Sequence, residues 1–340
     1  MYVSGVKMRA PHVKATKMQA KLIPVISAVI AAFAICAGNA SAQSYPSRPI
    51  RWVAPFPPGG TTDIVARIVA EKLTEALGQQ VTLDNRPGAG GNIAAEFVVK
   101  APADGYTLLT GFPGLAINPS LYAKMNYDPL KDLAPVILIS AAPLLMVVHP
   151  ALPAKTVRDV IGLAKRHPGE LLFPSAGNGT SSHLGGELFK ASAGIDIQHV
   201  PYKGSMQGMV DLMSGRMQLM VNPLPEMIPF VESGKLRGIA VTGFKRSAVM
   251  PNLPTVAETL PGFEVTTWNG LMVPAATPKE IVARLNAEIA RLLRAPATAK
   301  RMSELGLDII ASTQEQFAEH LRKETEKWAK VVRAAGARIE

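Results

Sequence analysis

Two stretches of the chain carry residue types suited to holding a small anion. Pro55-Phe56-Pro57-Pro58-Gly59-Gly60-Thr61-Thr62-Asp63 joins a glycine pair to two hydroxyls and a carboxylate. Ser175-Ala176-Gly177-Asn178-Gly179-Thr180-Ser181-Ser182-His183 repeats the order: glycines, hydroxyls, then an ionisable side chain. Glycines permit a sharp turn and leave the backbone open to a ligand. A helix beginning beside them presents unpaired N–H groups and the positive end of its dipole. Carboxylates and phosphates fit such a position. Thr61 or Thr62 can add a hydroxyl, and either can cap the helix. Taken alone, the first stretch reads equally well as a well-capped strand-to-helix connection with no ligand. It is neither common nucleotide loop, because no Lys follows the glycines and the spacing fits neither pattern.

Other chemistry finds less support. His183 beside Ser181 and Ser182 invites a hydrolase reading, but no Gly-x-Ser-x-Gly elbow follows a strand and no acidic partner is identifiable. A buried structural histidine is the stronger reading. His149, His167 and His199 are isolated and show no metal-ligand spacing. Arg86 and Lys203 can neutralise a ligand acid, but bonds to nearby carbonyls are the favoured role for such residues in glycine-rich turns. Met206, Met209, Met213, Met217 and Met220 fit core packing better than a cofactor site.

The elements that position these stretches follow from periodicity and turn residues. Strands are expected at 50–54, 81–84 and 107–110, with helices at 64–77 and 92–100 between them. Such β-α-β-α-β order implies a parallel sheet with right-handed crossovers. Ligands of such sheets sit beyond the carboxyl ends of the strands. Strands are also expected at 136–140 and 144–149, separated by Pro143. A second α/β unit runs through the middle third, with strands at 171–174, 198–201, 218–221 and 236–241. Thr266–Pro274 reads as a strand with a turn inside it. Helices at 279–293, 296–305 and 313–335 close the chain. The last is amphipathic through Phe317, Leu321, Trp328 and Val332, so it must pack on something, and the first lobe's sheet is the expected partner. The first lobe is then discontinuous, 43–144 with 267–340, and the second is 145–266. Crossings near 142–146 and 262–268 act as hinges, and the ligand cleft lies between the lobes.

The first 42 residues read as a secretory signal. Five Lys/Arg and no acids lie between Met1 and Lys21, an apolar run extends from Leu22 to Ala37, and Ala40-Ser41-Ala42 supplies the cleavage residues. The apolar run is short for a membrane span. Removing the leader lowers the formal charge from +10 to +5, which calls for no nucleic-acid partner. The single cysteine, Cys36, lies in the leader. The bulky Ile35 before it argues against a lipid anchor, so the mature chain holds no disulfide or thiolate metal site. No cofactor or metal is expected.

Seven segments, in order, resemble one family. They are Tyr45-Pro46-Ser47-Arg48-Pro49-Ile50, Pro55–Asp63, Asp84-Asn85-Arg86-Pro87-Gly88-Ala89-Gly90-Gly91, Ala101-Pro102-Ala103-Asp104-Gly105-Tyr106, Gly177–His183, Val200-Pro201-Tyr202-Lys203-Gly204 and Leu253-Pro254-Thr255. Together they are similar to the Bug-type periplasmic solute-binding receptors of tripartite tricarboxylate transporters, across essentially the whole mature chain. The resemblance implies an α/β, type II-like periplasmic binding protein fold of two lobes, each a mostly parallel sheet flanked by helices. It implies a small organic acid as ligand, held by backbone N–H groups and hydroxyls at two helix starts. Carried over, Phe56, Gly60, Thr62 and Asp63 form the first-lobe grip, and Gly179, Thr180 and Ser181 the second. Asp63 either meets a donor on the solute or favours the helix start. Asn222 and Trp268 are further wall candidates. Asn269 departs from the aromatic residue that relatives often carry there. The implied partners are membrane permease subunits, and the protein is a monomer. Two alternatives stand: a sensor presenting its solute to a membrane kinase, and an exported hydrolase built on His183 and Ser181.

Overall fold

The computed structural model describes residues 45–335 and 338–339, together with 1–2, 5 and 7–9. Most of the expected leader and all of its expected cleavage site lie outside the described residues. No described helix is long and apolar enough to cross a membrane.

Strand β1 (Ile50–Ala54) leads into helix α1 (Thr61–Leu77), then β2 (Val81–Asn85), α2 (Asn92–Val99), β3 (Thr107–Gly111) and α3 (Gly114–Leu121). The long β4 (Leu133–Val148) follows, then α4 (Val157–Arg166), β5 (Leu172–Ser175), α5 (Ser181–Ala193) and β6 (Gln198–Pro201). Next come α6 (Ser205–Met213), β7 (Leu219–Pro223), α7 (Leu224–Glu232) and β8 (Arg237–Val241). The chain ends with β9 (Thr266–Pro274), α8 (Lys279–Arg294), α9 (Pro296–Glu304), β10 (Asp308–Ile309) and α10 (Gln314–Ala335).

β1 pairs in parallel with both β2 and β3, and β5 pairs in parallel with β6. The crossing strands pair antiparallel: β9 with β3 and β4, and β4 with β7 and β8. One sheet of eight strands results, ordered β10-β4-β9-β3-β1-β2, with β7 and β8 joined to β4.

β4 is one strand where the sequence reading expected two. Its first part, through Pro143, pairs with β9, and from Leu144 onward it pairs with β7 and β8. Pro143 sits where the strand changes partners, so its missing N–H interrupts no continuous ladder. Thr242 ties the crossings together: its N–H and hydroxyl bond Leu144 O, its hydroxyl oxygen accepts from Leu144 N–H, and it reaches Val265 O at 2.6 Å.

β9 runs without an internal turn. Gly270 has a packing reason instead: a Cβ there would lie 2.4 Å from Phe317 Cζ, so only glycine lets the α10 ring settle on the sheet. Phe317, Leu321, Trp328 and Val332 are buried, and this face of α10 lies on β3 and β9 as expected. Helix α3 was not anticipated. It is buried through Leu115, Ala116, Ile117 and Asn118 and holds Pro119 inside it, so it lacks both an amphipathic stripe and ordinary helix chemistry.

Candidate functional site

The first half of the site is the turn after β1. Gly60, not a threonine, is the N-cap of α1, and no side chain of the turn caps the helix. Asp63 instead braces the turn. It accepts from Gly59 N–H (3.1 Å), from Asn85 Nδ2 (3.0 Å) and from both ends of the Arg67 guanidinium (2.8 and 3.0 Å). Burial pushes the Asp63 pKa up, but these bonds outweigh it and hold the group below its ordinary value. Asn85 also donates to Phe56 O at 2.9 Å, fixing the loop from the next strand.

The second half follows β5. Thr180 is the N-cap of α5: its hydroxyl oxygen accepts from His183 N–H at 3.3 Å and its O–H donates to Gly177 O at 2.6 Å. Ser182 Oγ accepts from Ala176 N–H at 3.1 Å. Behind this turn, His183 stacks on His199 with ring centroids 4.2 Å apart, and Ser175 Oγ lies 2.6 Å from His199 Nε2. His199 is therefore not isolated, as its sequence context implied. Burial lowers the His183 pKa to about 4; burial and then the His183 charge lower that of His199 to about 3.

The two turns face one cavity of about 120 Å³. Phe56, Gly60 and Thr62 line it from one side, Thr180, Ser181 and Ser182 from the other. Asn222, at the end of β7, adds a buried wall residue. The remaining wall is mainly apolar, with Phe56 and Phe112 packed edge-to-face at 5.6 Å. Two polar atoms of cavity-lining residues, the Thr62 hydroxyl and Asn222 Oδ1, are buried without a partner among the described residues.

Three expected residues lie elsewhere. The Asp63 carboxylate is committed to Arg67, Asn85 and Gly59 and is not in the cavity wall. Gly179 meets α3 rather than the cavity: a Cβ there would lie 2.1 Å from Asn118 Oδ1. Trp268 points away because strand side chains alternate. Thr267 faces the cavity, while Trp268 packs edge-to-face on Phe317 and His320. Asn269 shares the Thr267 face, is fully buried, and has no partner for either amide atom among the described residues. Arg86 is paired with Asp84 and stacked 3.7 Å from the Phe97 ring centroid. Lys203 does line the cavity.

Glu226 is the functional residue that the sequence reading missed. It lines the cavity from α7 and is 8% exposed. Its carboxylate accepts from the Thr61 N–H (2.7 Å), the Thr61 hydroxyl (2.8 Å), Asn222 Nδ2 (2.8 Å) and the Ser205 hydroxyl. An in-chain carboxylate thus takes the helix-start position of α1. Nothing in the local sequence around Glu226 predicts a partner so far away in the chain.

The model for the tripartite tricarboxylate transporter family receptor matches residues 65–337. The BugT protein of Bordetella pertussis is 37% identical over 94% of this chain and 99% of its own length. Among solved structures, Rpa4515 of R. palustris, determined with adipate, is 40% identical with a TM-score of 0.85, covering 87% of this chain and 100% of that one. MatC from Rhodopseudomonas palustris, determined with bound malate, is 32% identical with a TM-score of 0.80, covering 85% and 100%.

Proposed function

The chain belongs to the tripartite tricarboxylate transporter receptor family, and we propose that it takes a small carboxylate-bearing solute into the cavity between its lobes and delivers it to membrane permease subunits. The observation that supports this reading is that residues of the α1 start and of the α5 start line one and the same cavity. The α1 start already holds Glu226, so the solute's carboxylate sits at the α5 start. The first backbone N–H groups of α5 and the Ser181 hydroxyl supply the donors, Thr180 holds their turn through its own bonds to Gly177 and His183, and the Thr62 hydroxyl adds a further donor. Charge-assisted bonds of this kind exceed neutral ones in strength. Phe56, Gly60 and Asn222 shape the remainder. The adipate and malate complexes of the two R. palustris relatives support a carboxylate as the recognised group.

The division into lobes 43–144 with 267–340 and 145–266 is supported by the change of strand partners at Pro143 and Leu144. Binding across two lobes favours the closed state, since only that state completes the contacts. The protein acts as a monomer, without catalysis, after export by the leader and cleavage following Ala42. Against the hydrolase reading, His183 Nδ1 accepts from Gly179 N–H at 3.3 Å, and the Ser182 hydroxyl oxygen accepts from Ala176 N–H.

Mass spectrometry of the solute that copurifies, followed by a thermal-shift screen of organic acids, tests the reading. A retained carboxylic acid that raises the unfolding temperature is expected. Steady ester or amide turnover, lost on substituting Ser181 and Ser182 with alanine, would replace it with the hydrolase.

A further inference from the structure

An anion receptor has no evident need for a buried carboxylate in its cavity wall. Glu226 supplies one. Each of its oxygens accepts two hydrogen bonds, and all four come from neutral donors: Thr61 N–H and hydroxyl, Ser205 hydroxyl and Asn222 amide. Lys203 lines the same cavity, but its side chain is exposed. Neutral donors stabilise a buried carboxylate without cancelling its charge, and a buried charge lacking a counter-ion is unfavourable.

A second observation points the same way. Asn222 spends its amide N–H on Glu226, which leaves Oδ1 as an acceptor. That oxygen is fully buried and has no partner among the described residues. A donor inside the cavity would satisfy it, and a cationic donor would also meet the Glu226 charge. A carboxylate placed there would face two groups that can only repel it. The same cavity also meets the reverse polarity, because Thr180, Ser181 and Ser182 at the α5 start line it and a helix start carries the positive end of its dipole. The apolar part of the wall includes Phe56, Phe112, Pro113 and Met206.

We infer that the solute is a zwitterion, its carboxylate at the α5 start, its ammonium group against Asn222 Oδ1 and Glu226, and a short hydrocarbon link between them. Glu226 is then the residue that selects an amino acid over a diacid. The carboxylate half rests on the function proposed above, and the ammonium half on Glu226 and Asn222 alone.

The test is calorimetry of the mature protein with ω-amino acids, with α,ω-diacids of matched chain length and with the matching simple amines. The amino acids should bind most tightly. Glu226→Gln, which keeps the side-chain shape, should reduce their advantage over the diacids by roughly tenfold or more, as for loss of one member of a buried charge pair. Diacids that bind the natural protein as tightly as the amino acids overturn the zwitterion while leaving the carboxylate reading intact. Amines that bind as tightly as the amino acids overturn the carboxylate reading, and with it the zwitterion. A preference unchanged in Glu226→Gln removes Glu226 from the selection. The comparison on the natural protein holds whether or not the variant folds.

Discussion

Thr61 and Glu226, 165 residues apart, meet at the cavity: the Thr61 N–H reaches Glu226 Oε1 at 2.7 Å and the Thr61 hydroxyl reaches it at 2.8 Å. The pair fastens the start of α1 to the first turn of α7, which the proposed division places in different lobes. Thr61→Val removes the hydroxyl bond and keeps the backbone one. A hydrogen bond to a charged group contributes about 1.5–3 kcal/mol, so the unliganded protein should lose about that much stability in urea unfolding. An unchanged midpoint would show that the lobes are not fastened there.

Thr180 serves the α5 start twice, through the His183 N–H cap and the 2.6 Å bond to Gly177 O. Thr180→Ala should lower stability by about 1 kcal/mol through the lost cap. It should also weaken solute binding by roughly 1–2 kcal/mol, because the turn that presents the N–H groups loosens. Thr180→Ser should restore both. Calorimetry showing equal affinity for the Ala variant and the natural protein would remove Thr180 from the site.

The strand-turn-helix repeats, both glycine turns and the packing of α10 on the first sheet were legible because each is written in local periodicity and turn residues. Helix α3 was not, since a helix buried all round has no amphipathic signature and Pro119 argues against it. Trp268 was placed on the wall by residue type; pleat alternation assigns that face to Thr267 and Asn269. Asp63 reads either as a contact to a donor on the solute or as support for the helix start, and the choice depends on Asn85 from the next strand as well as Arg67 one helical turn on, which commit it to the turn. Glu226 was invisible for a stronger reason. Its bonds to Thr61 span 165 residues of chain, and no spacing in the sequence records that approach.

Asn269 is fully buried with neither amide atom partnered among the described residues. Each unsatisfied buried polar group costs about 1–3 kcal/mol, and an apolar residue of similar shape avoids it. Asn269→Leu should therefore raise the stability of the unliganded protein by roughly 1 kcal/mol or more, read by thermal unfolding. A destabilised variant would mean that Asn269 has partners within the native protein.

Gly179 stands where the proposed lobes touch. Its φ of +76° suits glycine, and a Cβ would fall 2.1 Å from Asn118 Oδ1. Alanine in this backbone costs roughly 1–2 kcal/mol, and overpacking against Asn118 adds about 1–3 kcal/mol in the closed state only. Gly179→Ala should fold but close poorly, with solute affinity reduced about tenfold or more. Small-angle scattering should show that solute no longer compacts the variant. Full compaction at the natural affinity would show that this approach does not limit closure.

The stacked imidazoles of His183 and His199 give the second lobe a pH response whose sign is fixed by burial. Their native pKa values lie near 4 and 3, below the ordinary value of 6.5, and their close partners are neutral: the Gly179 N–H, the Ser175 hydroxyl and the Phe173 ring. The unfolded chain therefore binds these protons first, so the native state is favoured fully above pH 6.5 and loses that advantage as pH falls toward 3. Urea unfolding followed across this range should show stability falling steadily. His199→Gln removes one of the two depressed sites and leaves a donor for Ser175, so the slope should flatten. Because the pair lies directly behind Gly179 and Thr180, solute affinity should fall over the same window. Stability that stays level down to pH 4 would mean that the histidines are protonated in the native protein, and the stacked neutral pair would then be wrong.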